Sequence, residues 1–253
     1  LVLSADVTQG SPGYHLGVKA NSVSDWNSGE GTSNLSVKFQ MDANTDYIAF
    51  GGEVLTTDAE TAIVEATQSG DVYVSEVAND WGRYRGGTNS QSYLQIYPNK
   101  IIVFDKTYNN LIVSTGTEHT IDLYVYGDNT FSLYLDETEI AKDTAMEKFV
   151  VRYNYYAGAN NTKQRNVTLT DASYFRGFYE VYLMHYAKKD GNCLDSTATF
   201  DDLKISTGSG KHYLGSSVGE VTEKDIFSVD FTGFTGAASS IAVTPSVSGV
   251  IDS

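Results

Sequence analysis

The chain has 253 residues, with 17 Lys and Arg against 32 Asp and Glu, which leaves a formal net charge of −15. Such an acidic surface repels phosphate backbones and anionic membranes, so we expect no nucleic acid among its partners and no insertion into a membrane. The content of 3 Pro, 23 Gly and 18 Tyr favours strands joined by glycine turns.

The sequence has one cysteine, Cys193, which excludes an internal disulfide. Residues 1–4 lack the basic start of a signal peptide. We expect a secreted or cell-surface protein from which any signal peptide has already been removed.

The first clear strand signal covers residues 35–41. Its odd-numbered residues are apolar and its even-numbered residues are polar. A period of two predicts a strand with one face on a core and the other on a polar environment.

A glycine-bounded segment, residues 79–87, is predicted to be a loop at the rim of a sheet. It carries Trp81, Arg83 and Arg85. An indole offers a flat surface to a sugar ring, and a guanidinium binds a carboxylate through two parallel hydrogen bonds. Stacking of arginine on the aromatic rings within the loop would explain the same residues without a ligand.

Residues 93–97 place Tyr93, Gln95 and Tyr97 at alternate positions, opposite Leu94 and Ile96. We predict a strand with one polar and aromatic face formed by these three side chains. Aromatic rings and planar amides suit the binding of sugars. Tyrosines also pack well across strands, so the pattern does not require a ligand.

The middle of the chain predicts a β-hairpin. Residues 121–126 alternate, residues 127–130 have turn composition, and alternation resumes over residues 131–135. Residues 149–156, 178–186 and 200–205 also have strand patterns between glycine-, asparagine- or aspartate-rich stretches.

Two of these later segments could extend the polar and aromatic face. In the first, Arg152, Asn154 and Tyr156 share one side, although the pattern leaves open which side points inward. In the second, Tyr182 and Tyr186 share a side. Our hypothesis is that these segments and residues 93–97 are neighbours that build one surface.

The predicted fold class is all-β, a two-sheet antiparallel β-sandwich formed by a single domain over residues 1–253. Residues 206–226 are a possible linker, because they begin with a Ser- and Gly-rich run. Residues 227–253 would then contribute an additional strand that docks on the same sandwich, which we favour, or begins another module.

Residues 119–141 resemble the central hairpin of concanavalin A-like and laminin-G-like jelly rolls, and residues 198–205 resemble their closing strand. The resemblance spans about residues 33–206. It implies carbohydrate binding, polysaccharide cleavage or adhesion, since this architecture hosts all three functions.

Asp201 falls on the same side of its strand as the apolar Leu203 and Ile205, where an unpaired carboxylate would be costly. The resemblance implies a structural Ca²⁺ near the closing strand, and Asp201 or Asp202 match that position. A hydrogen-bonded aspartate without metal, or a bulge that turns Asp201 outward, would satisfy the carboxylate equally well.

Paired carboxylates at the tight spacing of retaining glucanases are absent from the sequence. Arg83, residues 95–97 and residues 155–158 are similar, in order, to three motifs of jelly-roll alginate lyases. Tyr97 stands where those enzymes have histidine, and the lysine expected before Ala157 is missing.

We therefore hypothesise a non-catalytic module that binds a polysaccharide or another glycan and belongs to a larger multi-domain protein. A polysaccharide lyase that cleaves a uronate-containing glycan by β-elimination is one alternative. A cell-surface adhesin or spacer module is another.

Overall fold

The computed structural model describes residues 1–5, 13–19, 31–51, 85–87, 92–146, 149–156, 162–169, 177–178, 180–190, 192–211, 213–214 and 224–229. The regular elements in these ranges are all strands: β1 (Val2–Ala5), β2 (Gly13–Lys19), β3 (Gly31–Met41), β4 (Thr45–Gly51), β5 (Arg85–Gly87), β6 (Leu94–Tyr97), β7 (Lys100–Val103), β8 (Lys106–Asn109), β9 (Glu118–Tyr126), β10 (Thr130–Leu135), β11 (Thr138–Ala145), β12 (Phe149–Tyr156), β13 (Thr162–Leu169), β14 (Glu180–Ala187), β15 (Lys189–Asp190), β16 (Asn192–Cys193), β17 (Ser196–Ser209) and β18 (Lys224–Val229). Within this part of the chain there is no helix of the length and apolarity needed to cross a bilayer.

Most of these strands belong to two large antiparallel sheets. The seven-stranded sheet has the order β1-β17-β3-β9-β10-β11, and β18 also pairs with β17. The six-stranded sheet has the order β2-β14-β4-β6-β7-β8. Smaller sheets are formed by β13-β12-β5 and by β15-β16. This arrangement confirms the predicted two-sheet antiparallel β-sandwich of jelly-roll type.

The core lies between the inner faces of the two large sheets. The apolar residues of β3, from Leu35 to Met41, are buried as the alternation predicts. Rings from opposite sheets meet there: Phe50 of β4 contacts Phe200 of β17 edge to face, with centroids 6.0 Å apart. Burial of this apolar area is the main stabilising contribution, since each large side chain removed from water contributes about 1.5–3 kcal/mol.

The predicted central hairpin is confirmed by the pairing of β9 with β10, in which Phe131 lies opposite Val125. Asn129 closes the turn with a positive φ of 63°. Asparagine tolerates this left-handed conformation better than most residues do.

The segment predicted as a linker begins inside a strand, because β17 continues to Ser209. Ser206 is buried and donates a 3.4 Å hydrogen bond to Asn34 of β3, so its polar group is satisfied within the sheet. Further along, β18 pairs antiparallel with residues 203–207. Residues 215–223 and 230–253 lie outside the described residues, and the single-domain boundary stays a prediction.

A β-bulge interrupts β17 at Asp201 and Asp202, where the register with β3 shifts. The bulge inserts one residue, so that two residues instead of one separate the buried Phe200 and Leu203, and Asp201 takes a partly exposed position. Asp202 has a φ of 45° and forms an ion pair with Lys38 at 2.5 Å. The bulge, one of the three alternatives for Asp201, removes the need to bury its carboxylate.

Candidate functional site

A row of three tyrosines crosses the outer face of the six-stranded sheet. Tyr186 of β14 lies opposite Tyr47 of β4. The register that pairs Ile48 with Ile96 brings Tyr97 of β6 beside Tyr47. Lys100 of β7 lies opposite Tyr97 and completes the row. We call Tyr186, Tyr47 and Tyr97 the tyrosine row.

Alternation explains why these rings point outward. Ile48 and Ile96, which neighbour Tyr47 and Tyr97 in sequence, are fully buried in the core. Since successive side chains of a strand point to opposite faces, the tyrosines occupy the outer face. Ala49, Tyr182 and Met184 are buried beside the row on the same face.

The tyrosine row is held together by stacking. The rings of Tyr47 and Tyr186 have centroids 4.4 Å apart and an interplanar angle of 13°. Those of Tyr47 and Tyr97 are 4.7 Å apart at 26°. The ammonium of Lys100 lies 4.4 Å from the centroid of the Tyr97 ring. Aromatic pairs contribute about 0.5–1.5 kcal/mol each beyond area burial, so the row is an ordered unit.

Stacking also decides what the row presents to a ligand. Tyr47 is sandwiched between two rings, and Tyr97 lies between a ring and an ammonium. These two side chains therefore offer ring edges and hydroxyl groups rather than flat ring faces. With adjacent strands about 4.8 Å apart, the row from Tyr186 to Lys100 spans three strand spacings, or ~14 Å.

The phenol of Tyr97 is oriented by a short chain of hydrogen bonds. It donates to Oε1 of Gln95 at 3.1 Å, and Nε2 of Gln95 donates to Ser92 Oγ at 2.8 Å. Gln95 is only 2% exposed, so its buried amide holds the phenol of Tyr97 from the neighbouring position on the same face. Both Gln95 and Tyr97 thus lie on the predicted face, and Tyr97 is the one that reaches solvent.

The pKa values of the phenols keep them protonated. Burial, followed by the neighbouring phenols and Asp46, raises the pKa of Tyr47. Burial and Asp46 also raise the pKa of Tyr97. Both groups can donate hydrogen bonds at neutral pH, and neither is activated as a base.

A cleft of about 530 Å³ adjoins one end of the row. It is lined by Asp46, Tyr47, Tyr186, Ala187, Lys188 and Lys189. Its volume is within the range of ligand sites, ~300–1,000 Å³. The cleft combines an aromatic end, a carboxylate and two ammonium groups in a protein whose net charge is −15.

The prediction that Tyr93 shares a face with Gln95 and Tyr97 is wrong. Tyr93 is 1% exposed and packs in the core near Phe104 and Phe178, at centroid distances of 6.4 and 5.3 Å. A bend at residue 93, just before β6 begins, breaks the alternation. Its buried ring is therefore excluded from the outer face.

The side chains of the remaining predicted ligand contacts are not among those that the structure describes. The backbone of Arg152 on β12 pairs with that of Arg85 on β5. β12 also contains Asn154 and Tyr156, and β5 contacts β4, the strand of Tyr47. Trp81 and Arg83 lie outside the described residues. The proposed ligand contacts of these six residues stay predictions.

The ligand contacts predicted from the sequence do not include Tyr47, Tyr186, Lys100 or the two lysines of the cleft. Alternation around residues 180–186 placed Tyr186 on a tyrosine-bearing side, which is a usable signal. Tyr47 is followed by the apolar residues Ile48, Ala49 and Phe50, so no alternation of polar and apolar residues indicates which face its side chain occupies. Its place in the row depends on strand pairing.

Asp201 and Asp202, the residues of the predicted calcium site, have partners within the chain. Asp202 is ion-paired with Lys38, and its backbone N–H donates to Asp201 at 3.0 Å. Among the described residues, no group of three or more His, Cys, Asp or Glu side chains could hold a metal ion. Ca²⁺ takes six to eight oxygen ligands, of which these two carboxylates would supply a part, and the calcium site stays a prediction.

Comparisons with known proteins give structural similarities at low identity. No protein-family model and no curated protein sequence matches the chain. The T. cruzi calreticulin globular domain is 11% identical over 70% of this chain and 63% of that chain, with a TM-score of 0.34. A family 7 alginate lyase in complex with substrate is 10% identical over 73% of this chain and 64% of its own, with a TM-score of 0.35.

Lectin II from Ulex europaeus is 10% identical over 79% of this chain and 98% of that chain, with a TM-score of 0.28. The chain thus spans just under two thirds of the calreticulin and alginate lyase chains. The fold assignment rests on the strand pairing described above.

Proposed function

We propose that the tyrosine row and the adjoining cleft bind a polysaccharide without cleaving it. The observation that carries this proposal is the ordered row of Tyr186, Tyr47 and Tyr97, bordered by charged side chains at both ends. Ordered phenols bind hydroxyl groups with little loss of side-chain entropy, because stacking has already fixed their rotamers.

Binding is favoured over cleavage by the state of the titratable groups. β-elimination requires a group that accepts a proton, and the raised pKa of Tyr97 makes its phenol a poor acceptor. His185, the histidine of β14, is fully buried on the inner face of the sheet and is separated from the row by the sheet itself. We therefore treat cleavage by a lyase as an alternative that the experiment described next can detect.

The test is retention by affinity electrophoresis in gels that contain neutral or uronate polysaccharides. Tyr186→Ala removes the end of the row that lines the cleft, and we expect at least about tenfold weaker retention, as for loss of an anchoring aromatic contact. Lys189→Ala, at the other lysine of the cleft, should weaken binding of uronates more than of neutral glycans, because the loss is electrostatic.

Tyr213→Ala is the matched control, since Tyr213 contacts Tyr126 of the other sheet. Equal retention of wild type and Tyr186→Ala, with both variants folded, would contradict the site. Absence of retention on every glycan would favour the adhesin or spacer alternative. A rise in ultraviolet absorbance from an unsaturated product would identify a lyase.

The same proposal includes the wider setting of the chain. An acidic sandwich with one cysteine suits a module of a larger secreted or cell-surface protein. Detection of the intact protein in the culture medium or on the cell surface, by antibody, tests this part.

A further inference from the structure

A buried polar cluster lies directly beneath the tyrosine row. His185 of β14 is 0% exposed, and its Nε2 lies 3.0 Å from Ser196 Oγ and 3.3 Å from Thr45 Oγ1. Tyr186 is the next residue after His185, and Tyr47 follows Thr45 by two positions. The cluster therefore joins β14 and β4, the strands that carry two of the three tyrosines of the row, to β17 of the opposite sheet.

Asp42 organises the cluster from the turn between β3 and β4. Its carboxylate accepts hydrogen bonds from Ser196 Oγ at 2.8 Å and from Thr45 Oγ1 at 3.0 Å. It also accepts from the backbone N–H groups of Asn44 and Thr197. Burial alone would raise the pKa of this carboxyl, but these hydrogen bonds outweigh it and lower the pKa. Asp42 is thus an anion with its acceptor sites engaged.

This network assigns the tautomer of His185. Ser196 and Thr45 both donate their hydroxyl protons to Asp42, so each is left to accept from the imidazole. A hydrogen on Nε2 of His185 fits this arrangement, whereas a hydrogen on Nδ1 would be a buried donor without an acceptor among the described residues, so the network favours the tautomer with Nδ1 unprotonated. Within the described residues, Nδ1 has no hydrogen-bond partner and is buried.

Protonation of His185 would place a cation in this closed site. The new N–H at Nδ1 would have no acceptor among the described residues, which is costly in a buried position. β4 and β17 face the ring with the hydroxyls of Thr45 and Ser196, which do not titrate. Asp42 is the charged group that acts on His185, and it does so through Ser196 rather than by direct contact.

We infer that His185 is the positioning residue of the tyrosine row, and that its protonation releases the glycan. The inference rests on the proposed function. The charged ring is accommodated by displacing the end of β14, which carries Tyr186, or the β3–β4 turn, which leads into β4 and Tyr47. The same segments are tied together by Lys188, whose backbone N–H donates to Asn44 O and whose Nζ donates to Ala43 O, both at 2.8 Å. Burial holds the pKa of His185 at about 4, so the row is intact at neutral pH.

The experiment measures binding of a neutral polysaccharide between pH 7 and pH 3, so that the ligand itself does not titrate. Because the pKa of His185 is about 4, we expect the affinity of wild type to fall about twofold by pH 4 and about tenfold by pH 3, following the ring protonation of His185 seen by NMR. His185→Gln keeps a side-chain donor for Ser196 and Thr45 but cannot gain a proton, and we expect its affinity to be nearly independent of pH. His119→Gln, at the far end of β9, is the matched control and should behave like wild type.

An equal fall of affinity in wild type and His185→Gln would overturn the inference. If His185→Gln does not fold, the wild-type NMR titration provides the test. The inference is overturned if the pH midpoint of the fall in affinity differs from the pH midpoint of His185 protonation. If no glycan binds at pH 7, the proposed function fails, and the positioning role is read from the ring signals of Tyr47 and Tyr186. Ring signals that shift with the protonation of His185 support the role, and unchanged signals refute it.

Discussion

At the scale of single residues, tyrosines of this protein perform two different tasks. Tyr47 and Tyr97 are partly exposed and stack across strands, whereas Tyr93 is buried among phenylalanines. The hydroxyl of Tyr93 is buried and has no hydrogen-bond partner among the described residues. A buried hydroxyl in that state opposes folding, while the ring around it stabilises the core.

Tyr93→Phe should therefore leave the free energy of unfolding unchanged or raise it, since it removes only the unpaired hydroxyl. Tyr93→Ala should lower that free energy by about 3–5 kcal/mol, because it leaves a cavity in the core. Urea denaturation followed by tyrosine fluorescence or circular dichroism gives both values. Tyr93→Phe should not alter glycan retention. Loss of retention in a folded Tyr93→Phe variant would show that the Tyr93 hydroxyl contributes to glycan binding.

At the scale of elements, the turns decide which residues face each other across the strands. Leu135 of β10 pairs with Thr138 of β11, which leaves Asp136 and Glu137 as a two-residue loop. Both have positive φ, 49° and 63°. The carboxylate of Asp136 accepts a hydrogen bond from the backbone N–H of Thr120 at 2.8 Å, whereas Glu137 is exposed. A loop of this kind favours Asp-Gly, so Glu137 is the strained position.

Glu137→Gly should raise the free energy of unfolding by about 0.5–1 kcal/mol, because glycine adopts a positive φ without steric cost. Glu137→Val should lower it, since a β-branched residue is disfavoured there. Thermal unfolding of the two variants and wild type makes the comparison. A lower melting temperature for Glu137→Gly would show that the Glu137 side chain stabilises the hairpin.

At the scale of the whole molecule, the two sheets are held together by apolar packing through most of the sandwich and by a polar cluster at one end. Asp42, Thr45, His185 and Ser196 come from both sheets, and two of these side chains titrate. The folded state lowers the pKa of His185 to about 4 and lowers the pKa of Asp42 as well. In both cases the folded protein prefers the deprotonated form.

The stability that these groups confer is therefore complete at neutral pH and is lost on acidification. For His185 the loss begins as pH falls below its ordinary pKa of 6.5 and ends near its folded value of about 4. It amounts to at most about 3 kcal/mol. Urea denaturation at intervals from pH 7 to pH 4 should show the decline, and His185→Gln should flatten it between pH 6.5 and pH 4.5. An identical decline in His185→Gln would assign the acid sensitivity to other groups.

The sequence by itself determined the all-β class, the buried face of β3 and the central hairpin. These features depend on alternation and turn composition, which act between residues close in the chain. It also placed Gln95 and Tyr97 on one face, because no turn or bulge interrupts the pattern between them.

The tertiary structure alone decided how those strands assemble into a site. Tyr47, Tyr97 and Tyr186 are far apart in the chain, and they meet because β14, β4 and β6 are adjacent in one sheet. A bend removed Tyr93 from the outer face, and a bulge turned Asp201 away from the core. Neighbours in a sheet are set by pairing between distant strands, and a single inserted residue reverses the face of every side chain beyond it, so neither outcome can be deduced from local periodicity.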